Sequence, residues 1–151
     1  MAAPATDFEH FVADARLRLR RAFIAIRGID GAADATAEAL AYAWEHWERV
    51  RVMENPVGYL YRVGQSRTRS PKPVGLPAPE GLGVTEVEPG LIPALLDLPE
   101  TQRTAVWLVH ACGWRYREVA EAMDISISAV GTHVTRALVR LRARLEVETN
   151  A

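Results

Sequence analysis

Apolar positions recur at helical spacing in both halves of the chain, separated by a stretch with no helical period at all. In the first half, Phe8, Phe11, Val12, Ala15, Leu19, Ala22, Phe23 and Ile26 fall on one stripe, which predicts an amphipathic helix over 7–27. Arg16, Arg18, Arg20 and Arg21 lie mostly off that stripe. Gly28 to Gly31 reads as a turn. A second helix is expected from Asp34 to about Arg49, with Ala37, Leu40, Ala41, Trp44 and Trp47 facing inward. Asn55-Pro56 supplies a cap and a first-turn proline for a third helix through Tyr59, Leu60 and Val63. Three helices with short loops predict a bundle with one modest core.

The second half has a different grammar: two short helices, a sharp turn and a longer helix. Pro99 and Glu100 suit a helix start, with Asp97 as an upstream cap. Ala105, Leu108 and Cys112, with Val106 and Val109, form the apolar face, and Gly113 is the expected stop. The next helix, from about Tyr116 to Met123, should bury Val119, Ala120 and Met123, the small Ala120 permitting a close crossing. Asp124 falls where the chain must turn through a left-handed residue, which Asp tolerates better than most. Ser126 should cap a third helix burying Val130, Val134, Ala137, Leu138, Leu141 and Leu145. At 100° per residue its opposite side carries Ser128, Thr132, Thr135 and Arg136, flanked by Ala129, His133 and Arg140.

Between the halves, Ser70 to about Gly90 contains Pro71, Pro73, Pro77, Pro79 and Pro89 and little to bury, so it reads as a partly extended linker. The expected organisation is all-α: a bundle over 1–69, a linker over 70–92 and a helix-turn-helix unit over 93–148.

Charge sharpens only one part of this picture. Over the whole 151 residues the formal net charge is −1, which says nothing about partners. From Ser128 to Leu145, however, there are four arginines (Arg136, Arg140, Arg142 and Arg144) and no acid. A basic stripe on the outward side of a helix suits phosphate contacts; a solvated basic helix end is the plainer explanation, since cations are favourable near a C-terminus. The turn pattern ahead of the stripe favours the former. Segment by segment, ten basic and nine acidic residues occupy 1–70, one and four occupy 71–98, and seven and six occupy 99–151. The acidic middle segment reads as a soluble tether.

Candidate chemistry is sparse. The single cysteine, Cys112, sits on an apolar face and reads as a core residue of a protein in the reducing cytoplasm. His110 and Cys112 diverge on a helix, and His10 and His46 are isolated, so no metal pair is expected. There is no phosphate-cradling loop, nucleophile elbow, signal peptide or apolar run approaching the ~20 residues of a membrane span. Trp107 and Trp114 read as packing residues between helices. Neither an enzyme nor a cofactor site is predicted.

Leu98-Pro99 followed by Gln102-Arg103, then Gly113, Tyr116, Glu118-Val119-Ala120, Met123, Ile125-Ser126 and Val130, resembles the promoter −35-reading domain of extracytoplasmic-function (ECF) sigma factors of the sigma-70 family. The N-terminal order (Phe8 to Val12, the helix ending in Ala43-Trp44, and Asn55 to Val63) is similar to that family's core-polymerase-binding domain. The resemblance implies core RNA polymerase and promoter DNA as partners, with an anti-sigma or other regulatory protein as a further one. It places polymerase contacts at Asp34 and Glu38, with Ala37 and Ala41 on the same helix. DNA contacts are expected at Ser128, Ala129, Gly131, Thr132, His133, Thr135 and Arg136, with Arg140 and Arg142 on phosphates.

Three departures from the family pattern stand out. Ala35, Thr36 and Ala37 occupy places usually held by an apolar pair and Gln, and truncating a hot-spot side chain to Ala weakens an interface. After the third helix, Arg67 and Arg69 remain but no aromatic follows Tyr61 to stack on a flipped base. Gly131 replaces a residue that is usually basic, and His133 stands where Arg is common. The resemblance therefore implies an ECF-type sigma factor; the departures leave room for a sigma-derived DNA-binding regulator, or a sigma-mimicking interaction protein, that does not melt promoters by itself.

Overall fold

The computed structural model describes residues 4–68 and 90–149; Arg69 and the part of the expected linker up to residue 89 lie outside the described residues. Among the described residues the chain is entirely helical. Helix α1 spans Pro4–Glu45, α2 Trp47–Val50, α3 Pro56–Arg67, α4 Leu91–Leu96, α5 Glu100–Val106, α6 Tyr116–Met123 and α7 Ile127–Thr149. A π-helical turn, Trp107–Ala111, continues α5.

The N-terminal stripe forms as expected: Ala15, Leu19, Ala22, Phe23 and Ile26 are buried, with Phe8, Phe11 and Val12 packed at the edge. The expected turn over Gly28–Gly31 is instead a kink at one residue. Gly28 has φ 71° and ψ −177°, and helix resumes at once, so α1 has two halves that bend about it. A positive φ of this size is strained for any residue with a Cβ, and glycine relieves it.

The inward face of the second half of α1 differs from the expected one. Ala37, Ala41 and Trp44 are exposed; Ala32, Ala35, Thr36, Ala39, Leu40 and Ala43 are buried. The reason is a close crossing. Gly64 of α3 lies against Ala35, so tightly that a Cβ there would meet the Ala35 carbonyl oxygen at 2.9 Å and Phe23 Cζ at 2.4 Å. Small residues, not the tryptophan, face α3. Trp44, 57% exposed, packs sideways against Phe8 with ring centroids 5.0 Å apart, while Trp47 is buried under Phe8 and Phe11. The expected helix to Arg49 is interrupted at His46, after which α2 makes one further turn.

Helix α3 begins as the sequence dictates. The Asn55 side chain accepts from Gly58 N at 3.1 Å, with Pro56 in the first turn. Its far end is closed from α1: Arg27 donates to the Gln65 and Thr68 carbonyl oxygens, each at 2.9 Å, satisfying acceptors that a helix C-terminus leaves open. Tyr61 is wholly buried, stacked on Phe23 at 4.8 Å, and burial pushes its phenol well above the ordinary value.

In the C-terminal half, α4 begins at Leu91, inside the stretch expected to be linker, and buries Ala94 and Leu95. Asp97 does not cap α5 but closes the C-terminus of α4 through its backbone N–H; its carboxylate pairs with Arg144 of α7, and Pro99 itself takes the cap position ahead of α5. Ala105 and Leu108 are buried as predicted, whereas Val109 and Cys112 are only half-buried because the wide π turn rotates them outward. Gly113 then ends the helix with φ 70°.

The two halves pack on one another through α1 and α3. The joint is polar as well as apolar. Arg103, 3% exposed, donates from Nε to the Ala25 carbonyl of α1 at 3.0 Å and from Nη1 to the carbonyls of Leu96 and Leu98. Burial lowers the affinity of that guanidinium for its proton. Trp107 donates its indole N–H to Arg21 O at 2.8 Å, and Trp114 meets the Tyr61 ring edge-on. Polar pairs at its edge complete the seam: Arg18 with Glu118 at 3.3 Å, Asn55 with Glu121 at 3.0 Å and Arg62 with Asp124 at 3.6 Å.

Candidate nucleic-acid interface

The candidate reading element is α7, and its placement follows from three local events. Glu118 accepts from the Arg115 backbone N–H at 3.0 Å, closing the N-terminus of α6. Asp124 then adopts φ 56°, ψ 49°, the left-handed conformation that reverses the chain in a single residue. Two residues later the Ser126 hydroxyl accepts from Ala129 N at 3.0 Å and starts α7. Val119 and Ala120 of α6 and Val130, Val134, Ala137 and Leu141 of α7 are buried, so the two helices are locked by their apolar sides. Met123, Leu138 and Leu145, expected inside, are half-buried.

That packing fixes what faces solvent. Ser128, Thr132, Thr135, Arg136, Arg140 and Arg142 are exposed, as their angular positions predict. Ala129, Gly131 and His133 are half-buried on the flanks. Nδ1 of His133 is buried with no hydrogen-bond partner. The Thr132 hydroxyl donates to the Ser128 carbonyl at 3.2 Å, which leaves its lone pairs pointing outward as acceptors. Among the described residues, no carboxylate lies within 4.0 Å of Arg136, Arg140 or Arg142. Arg144 is different, being held by Asp97. The face therefore offers hydroxyls near its start and guanidinium groups along its length, which matches base-edge contacts followed by phosphate contacts.

Sequence reasoning confined the candidate interface to α7; the start of α6 lies beside it. Arg115, Tyr116 and Arg117 are exposed there, and the Tyr116 ring lies beside Gly131: a Cβ on Gly131 would sit 3.6 Å from Tyr116 Cε2. The available signal was the presence of two arginines at a helix N-terminus, where the dipole disfavours cations and an anionic ligand would compensate.

A second face lies on the other half. Asp34, Ala37, Glu38 and Ala41, the residues expected to meet polymerase, are all exposed and share one side of α1 by their spacing of three and four. Trp44 extends the same side.

The remaining inventory is inert. Cys112 is the single free cysteine; burial pushes its thiol up to about 12. Among the described residues no cluster of ligand side chains could hold a metal, and no helix is long and apolar enough to cross a membrane.

These features coincide with a known domain. Residues 91–141, the C-terminal third, match the family described as Sigma-70, region 4. The match takes in α4, which the sequence pattern had assigned partly to linker. Among curated proteins none matches the chain by sequence. Among solved structures the chain is similar to the sigma factor RpoE of Bartonella quintana, crystallised in complex with the anti-sigma factor NepR. The TM-score is 0.73 at 21% identity, covering 93% of this chain and 98% of that one. The described helices thus have the fold of a sigma factor across both halves.

Proposed function

We propose that the protein is an ECF-type sigma factor, which binds core RNA polymerase through its N-terminal bundle and directs initiation by reading a promoter element through α7. Residues 1–69 form the polymerase-binding unit, 70–92 the tether and 93–148 the DNA-binding unit. Asp34, Ala37, Glu38 and Ala41 meet polymerase. Ser128, Thr132 and Arg136 read base edges in the major groove, flanked by Ala129, Gly131, His133 and Thr135, and Arg140 and Arg142 hold phosphates. The chain itself does no bond chemistry; it positions the polymerase's own, in the cytoplasm where polymerase and chromosome are.

The observation that carries this reading is the orientation of α7, with its hydroxyl and guanidinium side exposed while its valines are locked against α6. The region 4 match and the sigma-factor fold support it. In vitro transcription with purified core enzyme on genomic fragments is the test. Initiation at discrete sites that depends on the added chain is the expected result; duplex binding without initiation overturns it.

A second reading, a DNA-binding regulator without promoter melting, is favoured by one specific observation. The aromatics of α3 are committed to the fold. Tyr61 is buried against Phe23, and the Tyr59 hydroxyl is held by Arg49 at 3.0 Å. From Arg62 to Thr68 no aromatic follows that could stack on an unpaired base. A regulatory protein is a further proposed partner, on the strength of the similar RpoE having been crystallised with its anti-sigma factor.

A further inference from the structure

Among the described residues, four glycines have internal explanations that Gly131 lacks. Gly28 and Gly113 adopt positive φ. Gly58 and Gly64 sit where a Cβ would collide, at 2.3 Å from Asn55 and 2.4 Å from Phe23. Gly131 meets neither condition. It lies within the regular helix α7, its backbone is not left-handed, and a Cβ there would find only Tyr116 Cε2 at an ordinary 3.6 Å. Mid-helix glycine is destabilising relative to alanine, and nothing inside the molecule requires it here. The remaining physical reason for a glycine is close approach of something from outside.

The surroundings say what fits. Ile127, Gly131 and Thr135 are spaced by four and line one flank of α7. Ile127 is 52% exposed, Tyr116 is 40% exposed, and the edge of the Tyr116 ring forms the wall beside the missing side chain. The result is a shallow notch floored by the Gly131 Cα and bordered by ring carbon and aliphatic carbon. It lies next to the hydroxyls that accept and donate hydrogen bonds. In the DNA major groove the apolar feature of methyl size is the C5-methyl of thymine. We infer that Gly131, with Tyr116 and Ile127, seats a thymine methyl group and makes α7 selective for thymine at one position of its target. This rests on the proposal that α7 reads duplex DNA.

The test begins by selecting a preferred duplex from a random pool with the full chain. Affinities are then measured by fluorescence anisotropy on that duplex and on copies in which each thymine is singly replaced by deoxyuridine, which removes the methyl and nothing else. Burying one methyl group predicts a loss of about fourfold at one position. Gly131→Ala fills the notch with the protein's own methyl. It should fold at least as well as the wild type and bind the thymine and uracil duplexes equally. Tyr116→Ala removes the wall and should flatten the same discrimination while Arg136-dependent binding persists. Equal wild-type affinity for thymine and uracil at every position overturns the inference, as does discrimination that survives in Gly131→Ala. Failure to enrich any duplex overturns the DNA-reading proposal itself, and the notch with it; enrichment without methyl dependence sinks the notch alone.

Discussion

Arg136 stands on the outward side of α7 with no carboxylate near it among the described residues, so its charge is available to a ligand. If it reads a base edge, Arg136→Ala should weaken binding to the selected duplex by about 1–3 kcal/mol while leaving random-sequence binding much less affected. Equal losses on both duplexes in a salt titration would reduce it to a phosphate contact. Cys112 permits a prediction of a different kind. Its thiol is raised from 9.0 to about 12 because burial disfavours the thiolate. Between those values the unfolded chain releases the proton and the folded chain keeps it, so stability falls as pH rises through that window. Tyr61, also raised by burial, acts in the same direction. Urea midpoints should therefore decline on the alkaline side, and Cys112→Ala should decline less steeply. Individual positions were readable from sequence where local backbone rules dominate. Asp124 in the left-handed turn, Ser126 as a cap and Asn55 as a cap all follow from side-chain chemistry within four residues. Asp97 was not readable, because its partner Arg144 is distant in sequence and competes with the helix start for the carboxylate.

The amphipathic stripes of α1, α6 and α7 were legible as elements because each buries a face of large apolar residues at helical spacing. The second half of α1 was not. Hydrophobic periodicity weights large residues, and there the alanines rather than Trp44 face the neighbouring helix. What decides the matter is the distance between α1 and α3, a tertiary quantity that no local pattern contains. This makes the crossing testable. Gly64→Ala must displace Phe23 or the backbone oxygen of Ala35, and a backbone oxygen has little room to yield. A cost of about 1–3 kcal/mol is expected from overpacking, read from denaturant midpoints. An unchanged midpoint would mean that the helices separate freely. The π turn after α5 was equally invisible in sequence. It swings Cys112 and Val109 partly out while keeping Trp107 directed at the Arg21 carbonyl.

At the scale of the molecule, two faces are presented by different halves that are joined through a largely internal seam. The seam consumes Arg103, Trp107, Arg18 and Asn55, none of which belongs to either face. The exposed stripe of Asp34, Ala37, Glu38 and Ala41 lies on α1, and the reading side lies on α7. The two activities should then be separable by mutation. Replacing Asp34 and Glu38 together by alanine removes exposed carboxylates that make no side-chain hydrogen bond or ion pair among the described residues, so stability should change by less than about 0.5 kcal/mol per site. Co-purification with core polymerase should nonetheless fall by about tenfold or more if these acids are interface anchors, and binding to the selected duplex should be unchanged. Arg136→Ala should give the reverse pattern. Loss of both activities in either variant would mean that the faces communicate through the seam, and Trp107→Phe, which deletes the indole hydrogen bond to α1 together with part of a buried ring, would then be the variant that uncouples them. Wild-type protein that never associates with core polymerase would remove the sigma-factor proposal and leave the DNA reader standing, because α7 packs on α4, α5 and α6, all of the C-terminal half.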